Sequence, residues 1–269
     1  MKKGEENMSL KKVFVLLLTV IIVISQINIV EANNNRYGWG FQKSKNESPA
    51  IAGPKFEEIV EKTGSFYRGD KNEKVLYLTF DNGYENGYTT KVLDVLRDTN
   101  VPAAFFVTGH YLESAPELIE RMVKEGHIVG NHSWSHPDMT QISDAQIQEE
   151  LEKVKKKFEQ LTGVKEMNYL RPPRGVFSQH SIEVANKLGY THVFWSVAFQ
   201  DWKTEEQKGW KYSYENTMSQ IHPGAIILLH SVSKDNAEAL EKIILDARAR
   251  GYEFKSLDYL IQKNTMLQN

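Results

Sequence analysis

The chain has 269 residues, with 33 Lys and Arg against 35 Asp and Glu and a formal net charge of -2, so no general electrostatic pull draws it to nucleic acid or an acidic membrane. Hydrophobic residues make up 41% and charged residues 25%, the balance of a globular protein with chain for one large domain or two small ones. There is no cysteine, which excludes disulfides, thiolate metal sites, a cysteine nucleophile and a lipid-modified N-terminal cysteine, and leaves any metal to histidine, carboxylate, amide or backbone ligands.

Residues 1–32 read as an address for export. Lys2, Lys3, Lys11 and Lys12 precede an apolar run over residues 13–24, interrupted only by Thr19 and followed by Ser25, Gln26 and Asn28. That is the layout of a secretory signal, and Val30-Glu31-Ala32 fits cleavage after Ala32. An uncleaved anchor over residues 13–30 is the alternative, although its polar second half falls short of the roughly 20 mostly apolar residues a spanning helix needs. Either way the rest of the chain works outside the cytoplasm, and any membrane association is N-terminal. Residues 33–70 form a polar arm, with a short helix expected over 56–62 and aromatics in Gly38-Trp39-Gly40-Phe41 suited to docking on the main body.

From Val75 onward strand and helix patterns alternate. A β-prone apolar run at 75–80 is followed by a helical pattern to residue 98, with Val92, Leu93, Val95 and Leu96 at helical spacing. Strand 103–107 follows Pro102; helix 116–125 ends at Gly126 and leads into strand 127–130. Ser143 is an N-cap candidate for an amphipathic helix reaching about residue 161 and closed by Gly163. Strand 168–171, helix 178–188, strand 191–197, helix 214–221, strand 225–229 and helix 236–250 complete the series, with 264–269 as a tail. Repeated βα units imply an α/β fold with a largely parallel sheet and helices outside it. About seven or eight strands can close into a barrel or stay open, and periodicity fits both; either way chemistry belongs in the loops after the C-terminal ends of the strands.

Polar residues gather at those strand ends: Asp81-Asn82-Gly83-Tyr84, then Asn131-His132-Ser133-Trp134-Ser135-His136-Pro137, then Arg171-Pro172-Pro173-Arg174-Gly175, then Asp201-Trp202, and finally Leu229-His230-Ser231. Singly, each has a bland reading. Asp-Asn-Gly after a strand is commonly a turn, His132 and His136 are ordinary loop histidines, and His230 on an apolar strand is a satisfied core residue. Together, five groups on one rim form a constellation. Two imidazoles four residues apart can converge on one cation, and an arginine held between an apolar strand and two prolines needs an anionic partner.

These motifs, in this order, resemble the polysaccharide deacetylase family, the NodB-homology carbohydrate esterases. The resemblance covers about residues 75–261 and is stronger still, through Asp81 to Gly87, Arg171 to Gly175 and Phe194-Trp195-Ser196-Val197-Ala198, to the branch of sporulation N-acetylmuramic acid deacetylases, or δ-lactam-biosynthetic de-N-acetylases. It implies a distorted (β/α) barrel of about seven strands over a catalytic domain at 71–263. It also implies Asp81 as general base, Arg171 holding that base, His230 as general acid, Asp201 orienting His230, and a metal on His132 and His136. Family members usually carry a second aspartate, a metal ligand, where this chain has Asn82. An amide oxygen brings no charge, so a divalent cation, Zn²⁺ among them, is expected to bind weakly. The implied substrate is an acetylated amino sugar in peptidoglycan glycan strands, with N-acetylmuramic acid in spore cortex ahead of a chitin-type N-acetylglucosamine.

Tyr84, Trp134, Tyr169, Trp195, Trp202 and Trp210 supply flat faces for sugars, of which two or three are expected to be used, with Tyr84, Trp134 and Trp202 preferred. Arg174 is a candidate for the lactyl carboxylate of muramic acid, against the alternative of a plain surface charge. A monomer is expected. A non-catalytic glycan-binding module and a glycoside hydrolase using Asp81 and Asp201 are the readings from other classes. No Gly-x-Ser-x-Gly elbow supports a serine hydrolase.

Overall fold

The computed structural model describes residues 34–268, with side chains through residue 263; the export address lies outside the described residues. The strands in chain order are β1 (Tyr37–Gly38), β2 (Val75–Asn82), β3 (Ala103–Val107), β4 (Ile128–Asn131), β5 (Tyr169–Leu170), β6 (Val176–Phe177), β7 (Thr191–His192), β8 (Ile226–His230) and β9 (Glu253–Phe254). Six of them run in the order β7-β5-β4-β3-β2-β8 as a curled parallel half-barrel, and β9 pairs in parallel with the first residues of β2.

All eight residues of β2 are buried, because the strand is covered on both faces; that is why it reads as a continuous apolar run rather than an alternating one. Leu76, Leu78 and Phe80 point into the main core under the helices, with Leu93, Leu112, Leu240 and Ile244. Val75 and Tyr77 alternate with them and meet Ala104, Phe106, Tyr169 and Ile226 in a second, inner cluster. The period of two then puts Asp81 on the inner face and Asn82 on the helix-facing one. The helix Asp144–Thr162 starts with a Ser143–Gln146 capping box and ends at left-handed Gly163, as its sequence signals require.

The strand expected over 191–197 ends at His192. Beyond it the Val193 and Phe194 carbonyls accept from Arg171. The chain then crosses to β8, where the Ser196 and Val197 amides donate to Ile226 O and Leu228 N donates to Val197 O. Irregular chain, rather than a regular strand, thus joins the two edges of the half-barrel, which makes the barrel a distorted one.

The arm packs as part of this unit. β1 pairs antiparallel with β6, and Trp39 stacks on Phe194 with ring centroids 4.4 Å apart while its Nε1 donates to Trp195 O. Its helix runs over Pro54–Thr63. At the other end the helix Leu257–Gln268 continues through residue 263, so the backbone of 264–268 is helical rather than a tail. Among the described residues no helix is long and apolar enough to cross a membrane.

Candidate active site

Strand register brings the motifs together. Asp81 is level with His230 on β8 and with Phe106 on β3, and Asn131 is level with Leu170, so His132 and Arg171 each follow directly after paired residues. Four strand ends thereby deliver their polar residues to one rim.

Arg171 is fully buried and fully engaged. One terminal guanidinium nitrogen donates to Asp81 Oδ1 at 2.9 Å, Nε donates to Val193 O at 2.9 Å, and the plane lies 4.2 Å from the Phe106 ring. Burial pushes the Asp81 carboxyl up, but the Arg171 charge, aided by His132 and His230, holds it below the usual carboxylate range. Asp81 Oδ2 lies 3.6 Å from His132 Nε2. The Arg171 carbonyl accepts from His132 Nδ1 at 2.8 Å, which fixes the tautomer and leaves the Nε2 lone pair facing the site. Burial keeps His132 neutral, and burial with the adjacent His132 pushes His136 down to about 4. The two imidazole centroids are 5.0 Å apart. Non-glycine left-handed backbone at Ser133 and His136 forms this loop, and the Asn131 side chain supports it by accepting from Ser133 N.

His230 carries the second pair. Its Nδ1 donates to Asp201 Oδ1 at 2.7 Å, while Asp201 Oδ2 accepts from His230 N at 2.9 Å and from Asn236 Nδ2. Burial lowers the imidazole's basicity, but the Asp201 charge and hydrogen bond outweigh it and raise His230 above its ordinary range. Trp202 is 49% exposed and covers this imidazole, with ring centroids 5.5 Å apart.

A cavity of about 880 Å³ opens over both pairs, and Asp81, His132, His136, His230, Tyr84, Trp134, Trp202 and Arg174 all line it. Asn82, Arg171 and Asp201 stand behind it, buried. Of the six aromatics, Tyr84, Trp134, Trp195 and Trp202 line the cavity, while Tyr169 is a buried residue whose hydroxyl donates to Asp258. Trp134 is seated by Gly109, where a Cβ would come within 2.3 Å of the indole. Gly175 plays the same part for Trp195, at 2.7 Å, and its left-handed backbone suits glycine doubly.

The polysaccharide deacetylase family model matches residues 68–193. Peptidoglycan-N-acetylmuramic acid deacetylase PdaA of Bacillus subtilis is 53% identical over 233 residues, which span 87% of this chain and 89% of that protein. Its solved structure, described as a family 4 carbohydrate esterase, superposes with a TM-score of 0.85 over 86% of this chain and 99% of that one. The peptidoglycan-N-acetylglucosamine deacetylase of Bacillus cereus is more distant, at 31% identity over 76% of this chain and 74% of that protein. The chain belongs to the polysaccharide deacetylase family.

Several features of this deacetylase site are not signalled in the sequence. Asn236 lies on the helix Lys234–Ala249, and His110 and Thr108 line the cavity from a short helix, Gly109–Ser114, and its cap; Trp195, one of the six aromatics expected to offer a flat face, reaches the cavity from the irregular crossing. An apolar residue pattern does not mark Asn236, His110 or Thr108. As to a metal, among the described residues no group of three His, Cys, Asp or Glu side chains could hold one. The donors that do fit are His132 Nε2, the His136 imidazole and Asn82 Oδ1, a buried amide oxygen with no hydrogen-bond partner. Such a set is neutral throughout, and any further ligand would come from backbone, water or substrate.

Proposed function

We propose that the protein hydrolyses the acetamide of N-acetylmuramic acid in peptidoglycan glycan strands, outside the cytoplasm, and so supplies the free amine from which muramic δ-lactam forms in spore cortex. The observation that carries this reading is the pairing of Asp81 with Arg171 and of His230 with Asp201 under one cavity.

Asp81 is held as a carboxylate with Oδ2 free to accept, which suits a general base taking the proton of the attacking water. As the tetrahedral intermediate collapses, the C–N bond breaks, acetate leaves and the sugar nitrogen needs a proton. His230, protonated and tied through Nδ1 to Asp201, has Nε2–H to give. His132, His136 and Asn82 would hold a divalent cation, Zn²⁺ among the candidates, which when bound supplies Lewis-acid polarisation of the acetyl carbonyl. Tyr84, Trp134, Trp195 and Trp202 offer faces to the sugar rings. Asp81 is the lone carboxylate among the residues lining the cavity, and Arg171 neutralises it; Arg174, exposed on the rim, therefore leaves an excess of positive charge suited to the lactyl carboxylate. The relatives favour the same sugar, since the N-acetylmuramic acid enzyme is nearer to this chain than the N-acetylglucosamine enzyme.

Mass spectrometry of peptide-free muramyl glycan and of chitooligosaccharide after incubation, with and without divalent cation, tests the assignment. Loss of one acetyl per muramic acid is expected. Preference for chitooligosaccharide would overturn the sugar assignment, cleavage of glycosidic bonds would overturn the reaction, and no change in either glycan would favour a binding module.

A further inference from the structure

Asn82 sits at the end of a buried hydrogen-bond relay that leads away from the cavity. Its Nδ2 donates to Ser231 Oγ at 2.7 Å. Ser231 Oγ is 2.9 Å from Thr89 Oγ1, and Thr89 Oγ1 bonds Glu85 Oε2. The same carboxylate oxygen accepts from Tyr111 OH at 3.0 Å, while Glu85 Oε1 accepts from Gly87 N at 2.6 Å. Asn82, Thr89, Tyr111 and Ser231 are fully buried, so no water competes for the bonds among them, while the Glu85 end of the relay is half-buried.

The proton count fixes the direction of the relay. A carboxylate only accepts, so the single hydroxyl proton of Thr89 goes to Glu85. Tyr111 OH also comes within 3.2 Å of Thr89 Oγ1, but its proton does not lie between Thr89 and Ser231. With the Thr89 proton committed to Glu85, the 2.9 Å contact between the two hydroxyls takes the Ser231 proton, and Ser231 has only a lone pair left to offer position 82. A side chain at 82 therefore has to donate, which an amide does and a carboxylate does not. With Asp at 82 and Glu at 85, two acceptor ends would share a chain of hydroxyls one proton short, and one buried oxygen–oxygen contact would have no hydrogen between its atoms.

We propose that Glu85, acting through Thr89 and Ser231, is the positioning residue that makes position 82 an amide and turns its carbonyl oxygen into the unpartnered atom of the site. The negative charge stands at the far end of the relay, on Glu85, where hydrogen bonds separate it from the imidazoles. Swapping the two ends reverses every bond. With Gln at 85 and Asp at 82, the glutamine amide donates to Thr89, Thr89 to Ser231 and Ser231 to the new carboxylate, and each contact again holds one proton.

The test is a double-mutant cycle on the protein, with thermal midpoint as the first readout and calorimetric titration with ZnCl2 alone as the second. Asn82→Asp and Glu85→Gln should each lower the midpoint by about 5 °C, and the double variant should recover more than half of the summed loss. A merely structural role for each residue predicts additive losses, which would overturn the relay. If Asn82→Asp alone does not fold, recovery of a folded protein in the double variant is the supporting result, and failure of both is the overturning one. The zinc arm rests on the proposed metal site and is separable from the first. The folded double variant should bind Zn²⁺ about tenfold more tightly than the native chain, because a carboxylate oxygen replaces a neutral one. Unchanged affinity alongside a recovered midpoint would keep the relay and reject a metal at Asn82.

Discussion

Two carboxylates serve the site, Asp81 at the end of β2 and Asp201 beyond β7, each paired with a nitrogen base, and the pairs differ in what they leave free. Asp81 faces a guanidinium that is cationic at any working pH, so its charge is fixed and only Oδ2 is available. Asp201 spends both oxygens, on His230 Nδ1, His230 N and Asn236, and leaves freedom to the imidazole instead. The first pair holds a base in its charged form. The second tunes an acid whose proton can leave. Burial opposes both charges, and in both the partner outweighs it.

Breaking the first pair should have the largest effect. Arg171→Met leaves Asp81 buried without its hydrogen-bonded cation, with the His132 imidazole at 3.6 Å and the charge of His230 as its remaining support, and is expected to cost about 3–5 kcal/mol in denaturant unfolding and to abolish deacetylation. Asp81→Asn should be asymmetric with it. The guanidinium keeps the Val193 and Phe194 carbonyls and the Phe106 face, so stability falls much less, while kcat falls by about 10³-fold with the loss of the base. Equal destabilisation by the two variants would show that the carbonyls do not support the cation.

How far this comparison could be read in the sequence follows from its residues. Asp81, Arg171, Asp201 and His230 all lie at or just beyond ends of apolar strands, where a βα repeat concentrates function, and motif order made them visible. His132 shows the limit. His192 is just as buried, likewise stands at the end of a strand, and among the described residues has no hydrogen-bond partner for either ring nitrogen, with burial pushing it down to about 3. The Arg171 carbonyl against Nδ1 and the Asp81 carboxylate near Nε2 distinguish the site imidazole from the core one, and those contacts join segments 39 and 51 residues apart. Asn236 stayed hidden for the same reason, since its contact with Asp201 joins segments 35 residues apart. The half-barrel's strand count was close, but its closure depends on Arg171 capturing carbonyls of the crossing segment, which no periodicity encodes.

The second pair should respond in degree rather than all at once. His230→Gln is expected to lower kcat by about 10²-fold at neutral pH with little change in thermal midpoint, since no buried charge loses its only partner: Asp201 retains His230 N and Asn236 as donors. Restoration of rate for an acetyl ester with a good leaving group, which needs no proton, would identify the lost function as general acid.

Asp201→Asn is the smallest and most discriminating change. Asp201 raises His230, so in the native protein the acid form persists to pH values above the ordinary histidine range. Removing the charge lets burial dominate, and the alkaline limb of kcat/KM should move to lower pH while the acid limb, set by Asp81, stays in place. The stability linkage has the same sign. A histidine raised in the folded state contributes stability that is fully present below its unfolded pKa and is lost as pH rises through the folded one. The gap in unfolding free energy between native protein and Asp201→Asn should therefore be widest below about pH 6.5 and narrow above it. A shift of both limbs together would mean that the two pairs titrate as one unit. A fixed alkaline limb would show that His230 draws its charge from Asp81 rather than from Asp201.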